Sequence, residues 1–389
     1  MRIGQITGEY PPIQGGVGAF THELARAMTA QGHELFVFTD HRAEDLQHNS
    51  HIHITADAHS WGWGTLGRIR RWSEAQHLDV VNIQYQAAAY NMAAFVHILP
   101  VRLNDVCVVT TFHDLLVPYL FPKAGPLRYQ AVLTLARSSD GVIVTNRGDR
   151  ERLAAEKVAA NLEHIPIGSN ITPNPPTDYN RAVWRAALGF QPTDIVVGYF
   201  GFLNASKGID TLLQGVRIAR NNQLPIKLLM IGGRTGTSDP ANIVYAREVD
   251  MMVEDLDLLE HIRWTGFVDD SAVSGHLMAA DLIALPYRDG VSFRRGSLMA
   301  ALAHGCPIIT THADVDMPEL IEDHHVRLIP PDSPTALAIA IEDLADNPDL
   351  CLKMGQNARE LAHLFSWESI AERTIAFFRQ LSGCYQSPS

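Results

Sequence analysis

The sequence predicts an α/β protein of two doubly wound, Rossmann-like domains facing a central cleft. Three observations carry that expectation. Short apolar runs alternate with amphipathic stretches along most of the chain, the pattern of repeated βαβ units. The alternation stops once, in the Pro/Asn/Thr-rich stretch GSNITPNPPTD at 168–178, and then restarts. At 389 residues the chain is long for one domain and comfortable for two. The first domain is expected over 1–170, with a closing helix over 366–384 returning to it, and the second over 179–365.

Each element follows from its local pattern. RIGQIT at 2–7 reads as a short buried strand. A Pro/Gly loop follows, then an amphipathic helix over 18–31 with Phe20, Leu24, Ala27 and Met28 on one side and Gly32 as its stop. A second strand at 34–39 completes a βαβ unit, the seed of a parallel sheet. Further buried strands are expected at 79–84, 106–112, 141–145 and 163–167. Beyond the linker, strands are predicted at 195–200, 226–231, 263–265, 282–286 and 307–311. Helices are predicted at 208–221, 241–259, 271–279, 297–304 and 334–347. In open sheets of this kind ligands sit at the carboxyl ends of the strands.

Composition narrows the function. Hydrophobic residues make up 46% of the chain and charged residues 19%, an ordinary soluble balance. The formal net charge is -12, which excludes a general nucleic-acid binder. The charge is uneven: about -2 over residues 1–170 and about -10 over the rest. An anion site in the second half must therefore be a local island of cations. No apolar run reaches eighteen residues. The start has no secretory pattern, and Cys107, Cys306, Cys351 and Cys384 are scattered without metal-type spacing. A cytoplasmic setting is the expectation, and no metal site is expected.

Four stretches could carry chemistry. PPIQGGVGAF at 11–20 places Gly15, Gly16 and Gly18 between a strand end and a helix start, where free amides and the helix dipole suit a phosphate. Its spacing is not GxGxxG, and the alternative is a turn needed only for packing. His113–Asp114 ends the strand VVTTFHD, either as a site or as a capped strand end. Lys207, in GFLNASKGIDTLL, opens a helix beside a strand and could bring its charge to a phosphate, or simply face solvent. In DGVSFRRGSLMAALAHG (289–305), Arg294, Arg295, Gly296 and an N-cap Ser297 combine two guanidiniums with a helix start. They make an anion trap, or else arginines bridging to nearby carboxylates. The pairs Asp255/Asp257 and Asp314/Asp316 spell DxD, which in a metal-dependent transferase holds a divalent metal against a diphosphate, with Asp314/Asp316 in the better context after a strand, but which also arises readily by chance in an acidic chain. The basic-aromatic segment 67–72 (GRIRRW) suits an anionic bilayer surface or a solvated helix face.

Taken in order, these pieces resemble the GT-B-fold retaining glycosyltransferases of family 4. PPIQGGVGAFTHELARAMTAQGHELFVFT is similar to the family's opening, TTFHD to its cleft-histidine strand and HIPIGSN to the end of its first domain. GYFGFLNASKGIDTLLQG, IRWTGFVDD, ALAHGCPIITT with DVDMPELIED, and FSWESIAERTIAFFRQL resemble its later elements. The resemblance implies transfer of a sugar from a nucleotide-sugar donor, a UDP- or GDP-sugar, to an acceptor hydroxyl with retention at the anomeric carbon and no required cofactor. The acceptor would be a saccharide, a lipid-linked molecule or a small molecule, with peripheral contact at the inner membrane face. Donor binding is implied for Gly15, Gly16, Lys207, Phe267, Val268, Ser292, Arg294, Arg295, Gly296 and Ser297. Catalytic roles are implied for His113, Asp289 and Arg295.

The sequence departs from the family's pattern in three places. The two customary glutamates fall at Ser292 and Ala300, so Asp289 is the stand-in for the first. A customary arginine is replaced by Phe202. The expectation is a variant phosphate clamp, with one cation lost at Phe202 and two supplied by Arg294 and Arg295. Two other readings share the fold: an inactive nucleotide-sugar-binding protein and a sugar-nucleotide epimerase. The epimerase would need cleft carboxylates, for which Glu9, Asp114 and Asp289 are the candidates.

Overall fold

A computed structural model describes all residues except 14, 44–50, 116–126, 159–160, 170–171, 235–239 and 383–389. Gln14 of the glycine loop, Cys384 and part of the predicted linker lie outside the described residues. The chain divides into two compact units: Met1–Gly168 with Ser366–Ser389, and Ser169–Phe365.

Unit 1 begins β1 (Arg2–Thr7), α1 (Gly16–Ala30), β2 (Glu34–Asp40), β3 (Ile52–Ala58) and α2 (Trp63–Ala75). It continues β4 (Val80–Tyr85), α3 (Leu99–Arg102), β5 (Cys107–Phe112), α4 (Leu127–Ser138), β6 (Gly141–Val144), α5 (Arg147–Ala155) and β7 (Leu162–His164). Its seven strands form a parallel sheet in the order β3-β2-β1-β4-β5-β6-β7. The inner strands are buried on both faces, and their sequences are mostly apolar, with the buried polar residues Asn82, Gln84, Thr110 and Thr111 set within β4 and β5. The edge strand β3 (IHITADA) is only half buried and alternates with polar residues; apolar runs alone do not reveal it.

Unit 2 contains α6 (Arg181–Ala187), β8 (Ile195–Phe200), α7 (Ile209–Asn221), β9 (Ile226–Ile231), α8 (Pro240–Asp255), β10 (Ile262–Trp264) and α9 (Asp270–Ala279). Then come β11 (Leu282–Leu285), α10 (Gly296–Ala303), β12 (Ile308–Thr311), β13 (Arg327–Ile329), α11 (Pro334–Ala345) and α12 (Pro348–His363). Its six-stranded parallel sheet runs β10-β9-β8-β11-β12-β13. The short edge strand β13 and the helices α6 and α12 add to the elements predicted from the sequence.

The last helix, α13 (Trp367–Ser382), belongs to unit 1. Ile370, Ala371, Ile375, Phe378 and Leu381 recur at helical spacing and are buried against Phe20, Leu24, Met28, Val109 and Ile143. Each large side chain so buried contributes about 1.5–3 kcal/mol. Gln31 Nε2 adds a hydrogen bond to the Glu368 carbonyl at 3.0 Å.

Strand order reverses direction at β1/β4 in unit 1 and at β8/β11 in unit 2. Such switch points open a crevice at the strands' carboxyl ends. Most of the residues singled out from the sequence lie there.

Candidate functional site

In unit 2 the crevice is built by the loops leaving β8 and β11. The β8 loop passes through a single 3-10 turn, Ala205–Lys207, before α7. Lys207 therefore precedes α7 instead of opening it, with Gly208 between them at φ +65°. A Cβ on Gly208 would stand 2.0 Å from the Pro286 carbonyl oxygen, so the two loops meet backbone to backbone. The Arg288 amide donates to the Ser206 carbonyl at 2.9 Å, fastening the same contact.

This packing turns Lys207 back over the carboxyl end of β8, its Nζ close above Gly201. Burial, and then the positive charge of Arg295, lower its pKa from the usual lysine value. Arg295 is fixed from two sides. It forms a salt bridge with Asp289, and its guanidinium carbon lies 4.8 Å from the centre of the Tyr287 ring. Tyr287 is fully buried, and its hydroxyl meets Ser297 Oγ at 2.7 Å. Burial raises the Tyr287 pKa, so the phenol stays neutral and keeps its proton for hydrogen bonding.

The predicted cap of α10 needs correction. Its N-cap is Arg295, without a side-chain cap hydrogen bond, and Ser297 lies one turn position inside with its hydroxyl held by Tyr287. The start of α10 is nonetheless open, because a Cβ on Gly296 would meet nothing within 4 Å. Free amides, a positive dipole end and two cations therefore face one spot. Arg294 is exposed, and Ser292 is occupied locally, its hydroxyl accepting from the Arg294 amide at 3.1 Å.

Beside this spot lies a slot of about 390 Å³, lined by Phe200, Phe202, Gly233, Phe267, Val268 and Asp270 among others. Phe202 and Phe267 are 44% and 86% exposed, unusual for rings this large. Gly233 leaves the gap between them, since its Cβ would lie 3.3 Å from the Phe202 ring. A flat heterocycle fits such a slot. Phe202 thus gives an aromatic wall where the sequence reading saw only a missing cation.

In unit 1 the glycine loop behaves differently. Glu9 Oε1 accepts hydrogen bonds from the Val17 and Gly18 amides at 3.0 and 3.2 Å. A Cβ on Gly15, the N-cap, would stand 2.0 Å from that carboxylate oxygen. The free amides expected to await a phosphate are already taken by the chain's own anion. Gly16 is open, with nothing within 4 Å of its Cβ direction. His113 is buried at the carboxyl end of β5, its Nε2 2.9 Å from Gln84 Oε1 and its ring edge-on to Phe20 at 4.7 Å. Gln86 Nε2 donates to Asp114 at 2.7 Å.

Other expectations meet the structure as follows. Ala300, at the position of the second customary glutamate, is fully buried. Asp255, Asp257, Asp314 and Asp316 are exposed, and no cluster of three metal-type ligands occurs among the described residues. In the 67–72 segment Trp72 is buried, Arg68 pairs with Asp57, and Arg70 pairs with Glu74 and Asp105. That segment is therefore largely neutralised. The exposed aromatic of α2 is Trp63, its ring tilted against Phe95 at 5.1 Å between centres, with the Arg102 guanidinium over it at 4.9 Å. Among the described residues no helix is long and apolar enough to cross a membrane. Tyr287 and the polar side chains beneath His113 were not visible as site residues in the sequence, because isolated Tyr, Asn and Gln carry no spacing signal.

Each unit thus has its own switch-point crevice, and that of unit 2 sets Lys207, Arg295 and an open helix start beside an aromatic slot. Residues 14–172 match the family described as Glycosyltransferase Family 4, and residues 194–347 the family described as Glycosyl transferases group 1. The chain belongs to this glycosyltransferase family and has its GT-B fold. It is 23% identical to the phosphatidyl-myo-inositol mannosyltransferase of Mycobacterium leprae, over 98% of this chain and 97% of that one. It is 24% identical to the D-inositol 3-phosphate glycosyltransferase of Streptomyces coelicolor over 62% of this chain, and there it spans about half of the relative, 53%. The solved structure of Anabaena Alr3699/HepE in complex with UDP superposes with a TM-score of 0.73 at 18% identity, covering 98% of this chain and all of that one (100%).

Proposed function

We propose that the protein is a retaining, metal-independent glycosyltransferase that moves a sugar from a UDP- or GDP-sugar to an acceptor hydroxyl. The observation that carries this reading is the pairing of Lys207 and Arg295 at the open start of α10, beside the Phe202/Phe267 slot. The slot takes the base, and the two cations with the Gly296 and Ser297 amides take the diphosphate. Negative charge grows on that diphosphate as the glycosidic bond breaks, and preorganised donors stabilise it most at that stage. Arg294 adds a third, solvent-exposed charge, and Val268 lines the base site. Asp289 orients Arg295 through its salt bridge. His113 is assigned to the transferred sugar, and the Gly15–Gly16 turn to the approach of substrate.

The Anabaena neighbour's bound UDP and the named mannosyl transfer of the Mycobacterium leprae relative support this reading. They also support a lipid-linked inositol acceptor as one candidate, with Trp63 and Arg102 of unit 1 as the membrane-facing pair. The test is a thermal-shift screen with UDP, GDP, ADP and TDP and their sugars. A ligand at 100 times its Kd adds about 2.7 kcal/mol of stability. One nucleotide should stand out in the wild type and lose its effect in Lys207→Ala and Arg295→Ala. No stabilisation by any of them would sink the proposal.

A second reading, an inactive nucleotide-sugar-binding protein, is favoured by one observation. Ala300 is buried and Ser292 is tied to its own turn, so neither supplies the customary carboxylate chemistry. Consumption of a bound nucleotide sugar with an acceptor mixture separates the two.

A further inference from the structure

The face of the unit-1 sheet beneath α1 carries a polar stripe where parallel strands are ordinarily apolar. The register places Gln5 beside Asn82 and Gln84 beside Thr111. Asn82 and Gln84 are fully buried, and Thr111 nearly so. Leaving such a group without a partner costs about 1–3 kcal/mol. The buried Gln5 amide makes no hydrogen bond among the described residues, whereas Asn82 and Gln84 are joined in one chain of bonds.

The pattern can be solved from one end. Asn82 Nδ2 lies 3.3 Å from the Val109 carbonyl, a group that can only accept. That end of the Asn82 amide must be its NH2, which also donates to Thr111 Oγ1 at 2.9 Å. Asn82 Oδ1 therefore faces Gln84 and accepts from Gln84 Nε2. Gln84 is then forced to present Oε1 to His113, where the separation from Nε2 is 2.9 Å. An amide oxygen only accepts, so His113 Nε2 must carry a proton. Reversing Asn82 alone would set its oxygen against the Val109 carbonyl oxygen and its NH2 against that of Gln84, and reversing Gln84 alone would set its oxygen against Asn82 Oδ1. The Thr145 hydroxyl on the His113 carbonyl at 3.2 Å and the edge-on Phe20 ring hold the backbone and the ring plane.

We infer that Asn82 and Gln84 are positioning residues: they form a buried relay that locks His113 as the Nε2–H tautomer, with Nδ1 the acceptor nitrogen of the neutral ring. This rests on the assignment of His113 to the transferred sugar only for its catalytic consequence. The tautomer itself is independent of that assignment.

The test is long-range 1H–15N correlation of the intact protein labelled at histidine, with the His113 signals assigned from the His113→Gln spectrum. The wild type should show His113 as Nε2–H at neutral pH. Gln84→Met keeps the side-chain volume and removes both bonds, so the tautomers should mix. Gln84→Glu retains an acceptor toward the ring and should keep Nε2–H. A wild-type Nδ1–H signal, or an unaltered tautomer in Gln84→Met, overturns the relay. Turnover of UDP-glucose and GDP-mannose is measured on the same samples. In Gln84→Met, kcat should fall roughly 10- to 100-fold with little change in KM, the loss common to outer partners that orient a histidine, and Gln84→Glu should recover part of it. A tautomer that mixes while kcat stays constant keeps the relay and refutes the role of His113.

Discussion

Both units set a glycine-bearing turn ahead of a helix at the carboxyl edge of a parallel sheet, yet the two helix starts are opposites. At α1 the amides of Val17 and Gly18 are filled by the Glu9 carboxylate. At α10 the start has no side-chain cap and is flanked by Arg295, with Lys207 close enough for its charge to be felt. One end satisfies itself, and the other is left electropositive. The comparison teaches that a glycine-rich turn before a helix makes an anion site available without saying whose anion fills it.

The comparison can be broken at several points. The largest effect is expected from the double variant Lys207→Ala/Arg295→Ala. Each charged hydrogen bond to a phosphate is worth about 1.5–3 kcal/mol, so the pair should weaken UDP or GDP binding by at least 100-fold in calorimetry. Retained affinity would mean that the open end of α10 is not the diphosphate site.

Gly208→Ala comes next. It forces a left-handed φ on a residue with a Cβ and drives that Cβ into the Pro286 carbonyl. A loss of about 2–4 kcal/mol is expected in denaturant unfolding, together with weaker nucleotide binding as Lys207 shifts. An unchanged midpoint would show that the two loops are not locked together.

Glu9→Ala is expected to cost about 1 kcal/mol, the usual value of a lost helix cap. It should also convert α1 into the open kind, so inorganic phosphate would raise the melting temperature of the variant and not of the wild type. No such gain would show that Glu9 is not what separates the two helix starts.

The smallest effect is one of pH. Because the Lys207 pKa is lowered in the free protein, the unfolded chain binds more protons between the folded and unfolded values. Stability therefore gains slightly as pH rises through that window. A bound diphosphate favours the charged amine, so its binding should take up protons and weaken as pH rises from neutral to alkaline. Calorimetry in buffers of different ionisation enthalpy measures the uptake, and its absence would remove Lys207 from contact with the ligand.

Much of this protein was legible in its sequence. The inner strands β1, β4, β5, β8, β9, β11 and β12 read as mostly apolar runs because both of their faces are covered, although β1, β4 and β5 carry buried polar residues within them. The RRGS island at 294–297 stood out against an acidic background. What escaped were the edge strands β3 and β13, whose burial is partial and whose pattern is therefore weak, together with the helices α3 to α6 and α12. The site was legible as a set of cations and glycines, but the roles within it were not. Ser297 looked like a cap and is a partner of Tyr287, and Phe202 looked like a loss and walls a slot.

The sequence by itself determined the alternation of strand and helix, the break between two halves and the local excess of positive charge near α10. These depend on neighbours a few residues apart, which periodicity and composition register directly. Only the tertiary structure decided that Glu9 fills the start of α1, that Lys207 folds back over Gly201, and that Asn82 and Gln84 reach His113. Those outcomes join residues on different strands and loops, and the free energy of a buried charge or amide is set by the partner it meets in space.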